Sequence, residues 1–127
     1  MTSKIPTASE TIALQHLWER GRATVSELHS DICASGTVGY TTVLKRIQRM
    51  EEKGFVKRIP GNGRAHVYTA TIKPTGTRKT LVQKLIETAF DNSPNALIQH
   101  AIGEHTLSSE DIENIRELLD RVEASDK

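Results

Sequence analysis

The sequence predicts a mainly α-helical fold with one small β-hairpin. A helix-and-hairpin domain spans residues 1–72, and a wholly helical domain spans residues 73–127. Three observations carry this reading. The segment Gly39–Gly54 divides at helical spacing into an apolar face and a basic face. Two runs rich in β-branched and aromatic residues follow it, separated by Pro60-Gly-Asn-Gly63. Beyond residue 77 the apolar residues keep helical spacing.

Taken in order, the first helix starts at Thr7-Ala-Ser-Glu10, a capping box in which hydroxyl and carboxylate satisfy each other's backbone amides. Ile12, Ala13, Leu17 and Trp18 form its expected buried face, and Gly21 ends it as a left-handed cap. Ala23 fits a short strand or turn. Thr24-Val-Ser-Glu27 is a second capping box, with Leu28 and Ile32 as the buried stripe behind it. Ser35-Gly36 and Gly39 punctuate the loop before the third helix, which Gly54 stops. The strands are Phe55–Ile59 and Ala65–Ala70, and Asn62-Gly63 suits a tight type I′ turn between them. Three short helices and a basic hairpin make a winged helix-turn-helix.

Lys73-Pro-Thr-Gly-Thr77 is the expected boundary, because Pro and Gly break both neighbours. Leu81, Leu85, Ala89 and Phe90 then make one stripe. Ser93-Pro94 restarts a helix that should bury Leu97, Ile98, Ala101 and Ile102. Ser108 with Asp111 resembles a further cap. The last helix spaces Ile112, Ile115, Leu119 and Val122 by three, four and three, the seam of a partner-facing helix. Three such helices cannot bury all these stripes against one another, so a second copy is the expected partner, with Leu81, Leu85, Ile98, Ile102, Ile112, Ile115, Leu119 and Val122 as dimerisation residues.

The charge is as divided as the fold. The whole chain has a formal net charge of +1, but residues 1–70 carry +4 and residues 71–127 carry −3. The front half is suited to a polyanion and the back half is not. A single cysteine, Cys33, allows no intrachain disulfide and favours a reducing compartment. MTSKIPTASET offers no apolar run for a signal peptide, and no stretch approaches a membrane span. A cytoplasmic protein without membrane insertion is expected.

On the third helix Thr42, Lys45, Arg46, Arg49 and Lys53 share one arc, and Val43, Leu44, Ile47 and Met50 share the opposite one. Only Glu52 intrudes among the cations. Short donors with methyl groups, Thr41 and Thr42, lie at the N-terminal end and long cations follow. This is the chemistry of a helix laid into a DNA major groove. Thr41, Thr42, Lys45 and Arg46 are candidate base readers, and Arg49 and Lys53 candidate phosphate contacts. Tyr40 at the helix start and Arg64 in the wing complete the set, with Lys57 and Arg58 nearby. The competing reading is a winged helix that docks proteins rather than DNA; it does not require a cation face.

Trp18-Glu-Arg-Gly21, Gly39-Tyr-Thr-Thr-Val-Leu44, Arg49-Met-Glu-Glu-Lys-Gly54 and Gly63-Arg-Ala-His-Val-Tyr68 stand in an order that resembles the BlaI/MecI/CopY penicillinase-repressor family. Leu107-Ser108 and the acidic, Ile/Leu-rich helix after it resemble that family's C-terminal end. The resemblance implies a homodimeric repressor on a palindromic, double-stranded DNA operator, and a membrane-bound sensor protease as a further partner in the β-lactam-responsive branch. That protease cuts an Asn–Phe bond, where this chain has His100-Ala101. The copper-responsive branch carries paired Cys-x-Cys motifs, which this chain lacks.

Other chemistry finds little support. His29 and Cys33 share a helix face, but two ligands do not make a metal site, and Cys33 is read as a small core residue. His100, Glu104 and His105 are read as solvated surface, His66 as a wing residue and Trp18 as core. There is no nucleophile elbow, HExxH or P-loop, so neither an enzyme nor a cofactor is expected.

Overall fold

In the computed structural model, residues 5–33, 38–61, 63 and 65–125 are described. They form two compact units, one ending at Gln83 and the other starting at Lys84.

In the first unit, α1 (Ala8–Arg20), β1 (Ala23–Thr24), α2 (Val25–Cys33), α3 (Tyr40–Lys53), β2 (Val56–Ile59) and β3 (Val67–Ala70) follow in order, and α4 (Pro74–Ala89) begins. Both capping boxes form. The Glu10 amide donates to Thr7 Oγ1 at 3.2 Å and the Thr7 amide to Glu10 Oε1 at 2.9 Å. Thr24 and Glu27 exchange the same two bonds at 2.9 and 3.1 Å. Each box satisfies two amides that the first helical turn leaves without partners. Arg20 clamps α1 to α2, with Asp31 held bidentately at 2.6 and 2.9 Å and Glu27 at 3.2 Å.

The buried face of α1 is Glu10, Ala13, Leu14 and Leu17. Leu14 replaces Ile12, which is 50% exposed. The correction is geometric: positions 10, 13, 14 and 17 share one side of a helix, and Ile12 lies about 100° from Ala13. Trp18 packs at the core's edge, with Nε1–H donated to the Ile72 carbonyl at 2.9 Å. Val43, Ile47 and Met50 bury the inner side of α3 against Leu14, Leu17, Leu28, Phe55 and Val56. Gly54 stops α3 in the left-handed conformation (φ 85°, ψ 15°), which costs glycine least. Gly21 also has positive φ, 83°, but its ψ of −43° departs from the expected left-handed cap.

The sheet has three antiparallel strands rather than two, in the order β1-β3-β2. Val56 pairs with Ala70 and Ile59 with Val67, and Ala23 and Thr24 occupy the other edge of β3. The second strand of the hairpin starts at Val67 rather than at the expected Ala65. Pro60 has no N–H to extend the ladder. A Cβ on Gly61 would lie 2.5 Å from Val67 Cγ2, so only glycine lets the backbone pass there. Asn62 lies outside the described residues.

The expected breaker at residues 73–77 is in fact the start of α4. Pro74 takes the first helical position, where a missing N–H costs nothing. Thr77 is buried, and its hydroxyl bonds Lys73 O at 2.8 Å. In the second unit α5 (Pro94–Gly103) and α6 (Ser109–Ser125) follow the end of α4. Ser93 and Ser108 cap them, accepting from Ala96 N at 3.1 Å and Asp111 N at 3.0 Å. Neither helix buries a residue fully. Leu85, Ile98, Ile102, Ile112, Leu118, Leu119 and Val122 are exposed, while Ile115 is half-buried, as is Leu81 in the first unit. Within one copy of the chain, the burial expected of Ile98, Ala101 and Ile102 does not occur.

Leu14→Ala is expected to destabilise the chain by about 2–5 kcal/mol, because it empties a fully enclosed site. Ile12→Ala should cost less than about 1 kcal/mol. Urea unfolding of the two variants checks the reassignment; equal losses would return Ile12 to the core.

Candidate nucleic-acid interface

The site is built on α3 and the N-terminal end of α1. Because Val43, Ile47 and Met50 face inward, helical geometry turns Tyr40, Thr41, Thr42, Lys45 and Arg49 fully outward, with Arg46 half-buried beside them. Thr42, Lys45, Arg46 and Arg49 line a cleft of about 450 Å³ whose other wall is Thr7, Ser9 and Glu10. The sequence reading missed that wall. Thr7 and Ser9 were visible there only as capping-box residues, and nothing local shows that a cap will sit beside a helix more than thirty residues away.

The cations of this ridge are left without acidic partners. Among the described residues, Lys45, Arg46 and Arg49 have no carboxylate partner. Two acids of the neighbourhood are engaged elsewhere. Glu51 accepts from Arg58 Nε of the wing at 3.2 Å, and Glu10 accepts from Lys53 Nζ at 2.9 and 3.1 Å. Lys53, expected as a phosphate contact, is thus ion-paired with Glu10 in the free chain. Its ammonium is tied to a glutamate that is only 2% exposed and stands 5.9 Å from the Phe55 ring centroid. The cause is packing: Lys53 falls on the turn where α3 meets the start of α1.

Burial works against the charged form of Glu10. The Thr7 amide, the Lys53 hydrogen bonds and charge, and the Thr7 hydroxyl together outweigh it and hold the carboxyl below its ordinary value of 4.5. Tyr40 is positioned by an edge-on contact with His29, ring centroids 5.8 Å apart. His29 Nε2 and Cys33 Sγ lie 3.1 Å apart, and both reach the Val38 carbonyl, at 2.9 and 2.8 Å. Cys33 is thus half-buried at the entry to α3, not in the core. Among the described residues no group of three or more metal-ligating side chains occurs. Arg64 lies outside the described residues. His100 and Ala101 are exposed on α5.

A family model described as penicillinase repressor matches residues 6–121. Transcriptional regulator BlaI from two strains of Mycobacterium tuberculosis is 29% identical over 119 residues, covering 91% of this chain and 83% of the relative. Among solved structures, apo MarR from E. coli matches with a TM-score of 0.57 at 18% identity, over 92% of this chain and 77% of its own. A mutant MarR from E. coli complexed with operator DNA matches at 0.54 and 18%, over 91% and 74%. A mutant of ZitR from Lactococcus lactis matches at 0.51 and 16%, over 100% and 80%. These likenesses show a winged-helix fold. With a family model matched over most of its length, the chain belongs to the penicillinase repressor family.

Glu10 contributes stability above the ordinary carboxylate pKa that is lost as pH falls through its lowered folded value. Glu10→Gln is expected to cost about 1–3 kcal/mol at neutral pH, with the gap to wild type closing below about pH 4.5. Denaturant titrations of both proteins across that range check this; a gap unchanged in acid would deny the carboxylate its charged role.

Proposed function

We propose that this member of the penicillinase repressor family is a homodimeric, sequence-specific DNA-binding transcriptional repressor. The observation that carries the proposal is the unpaired cation ridge on α3, kept free of the neighbouring acids Glu10 and Glu51. A major groove about 12 Å wide admits such a helix with its N-terminal half deepest. Thr41 and Thr42 then reach base edges with hydroxyl and methyl. Arg46 offers the planar fork suited to guanine O6 and N7, and Lys45 serves base or phosphate. Arg49 and the Tyr40 hydroxyl hold backbone phosphates, and Arg64 of the wing adds a flanking contact.

Homodimerisation is supported by the apolar side chains of the last three helices. Leu85, Ile98, Ile102, Ile112, Leu119 and Val122 are exposed in a single copy, Leu119 to 58%, with Leu81 and Ile115 half-buried on the same stripes. Exposed apolar stripes of this kind mark an interface. A two-fold dimer presents its two reading helices about 34–36 Å apart, one duplex turn, and so selects a two-fold operator. The repressor works by occupying that operator. Its release by a membrane-bound sensor protease would need a bond other than His100–Ala101, since neither residue matches the Asn–Phe pair. No helix among the described residues is long and apolar enough to cross a membrane.

The proposal is tested by gel shift with DNA from upstream of the protein's own gene, with a shuffled duplex as competitor. A winged helix that only docks proteins would show no preference between them. Arg46→Ala is expected to weaken specific binding by about 1–3 kcal/mol, and Lys45→Ala to reduce the slope of log K against log salt by about one. Titrations at several salt concentrations, on variants with unchanged circular dichroism, read both. Leu119→Glu is expected to yield monomers by light scattering and at least about a tenfold loss of operator affinity; a dimer unaffected by it would place the interface elsewhere.

A further inference from the structure

We propose that a cavity in the first unit, beside the C-terminal end of α3, binds a small organic monocarboxylate with an apolar body. The cavity holds about 340 Å³, is open to solvent, and is lined by Pro6, the Lys53–Phe55 corner, Ile72, Lys73 and the first turns of α4. That volume lies at the small end of the range for ligand sites and suits a molecule of about a dozen heavy atoms. Its walls decide the chemistry. Apolar surface comes chiefly from half-buried Ile72, since Pro6 and Phe55 are almost wholly buried. Among the described residues no aspartate or glutamate lines it, whereas two lysines do.

The lysines are not equivalent. The Lys53 ammonium is shared with Glu10, which lies outside the lining. Lys73 is exposed and, among the described residues, has no carboxylate partner. Its charge is open to a ligand. A cationic guest meets two like charges, and a neutral one leaves Lys73 unused. Thr77 and Thr80 donate their hydroxyl protons to Lys73 O and Gly76 O, at 2.8 and 3.0 Å, so neither competes for the carboxylate. The acid group therefore sits at the Lys73 side and the apolar body against Ile72. Gly76 leaves room for it, since a Cβ there would meet nothing within 4 Å. The cleft of about 470 Å³ beside the wing is a poor rival: it holds Arg20 and Arg22, but Glu27 stands in its lining and would repel a carboxylate. This inference concerns binding to the first unit and stands apart from the DNA reading.

The test is a titration of the full-length, ¹⁵N-labelled protein with sodium phenylacetate, followed by amide chemical shifts, with phenylacetamide as the uncharged counterpart. Phenylacetate is expected to shift the amides of Gly54, Phe55, Ile72 and Gly76 and to saturate at millimolar concentrations, binding at least about three-fold more tightly than phenylacetamide. Lys73→Gln, a change at an exposed side chain, should erase that preference, and Gly76→Leu should fill the space and abolish the shifts. Shifts that are absent, that centre on other residues, that are equal for acid and amide, or that persist undiminished in Gly76→Leu overturn the proposal.

Discussion

Burial of Val43, Ile47 and Met50 against the core fixes how α3 faces the world. A helix has no freedom to present its sides independently: once three residues at spacings of four and three point inward, the arc carrying Thr42, Lys45, Arg46 and Arg49 points outward. The driving force is apolar burial of about 25 cal/mol per Å², which no solvated lysine or arginine opposes. Stability and recognition are therefore not competing demands on this helix. The residues that hold it and the residues that would read a duplex occupy different faces.

The exception is Lys53, and it shows how a functional surface is bounded. Placing Glu10 at the buried side of α1 would leave a carboxylate in a poorly solvated site, at a cost of several kcal/mol if it had no partner. Its capping bonds with Thr7 supply part of the compensation and Lys53 the rest. The same pair engages the last cation of α3 and keeps Glu10 from neutralising the cations farther up the cleft. Glu51 and Arg58 act alike at the wing. Paired charges thus border a stretch of unpaired ones, and an anionic backbone would meet positive potential where Lys45, Arg46 and Arg49 stand.

Legibility in the sequence followed interaction range. Both N-terminal capping boxes, the cap at Gly54, the α3 stripe and the Ser93 and Ser108 caps were readable because each relates residues at most a few turns apart. Leu14 was missed where Ile12 was expected, since both are apolar and only the partners of α1 decide between them. The Lys53–Glu10 pair joins residues 43 positions apart, and no local pattern announces it. The wing was legible as two strands, the first ending at Ile59 as expected, whereas the second starts at Val67 and not at Ala65. Pro74 and Gly76 read as a break and turned out to be a helix start, the one place where proline is as good an initiator as it is a terminator.

The second unit is held differently. Helices α5 and α6 bury no residue fully, so what holds them is chiefly capping, backbone hydrogen bonding and partial contact. Isolated helices of 10 and 17 residues are marginal in water without a packed face. In the proposed dimer the missing burial comes from the partner, and folding of this unit is then linked to association by mass action. On the proposed operator the same association would raise affinity, because the second reading helix would bind at the effective concentration set by the first. Any event that removes the exposed apolar surface of Leu119 and Val122 from the interface would release the DNA without touching α3 at all.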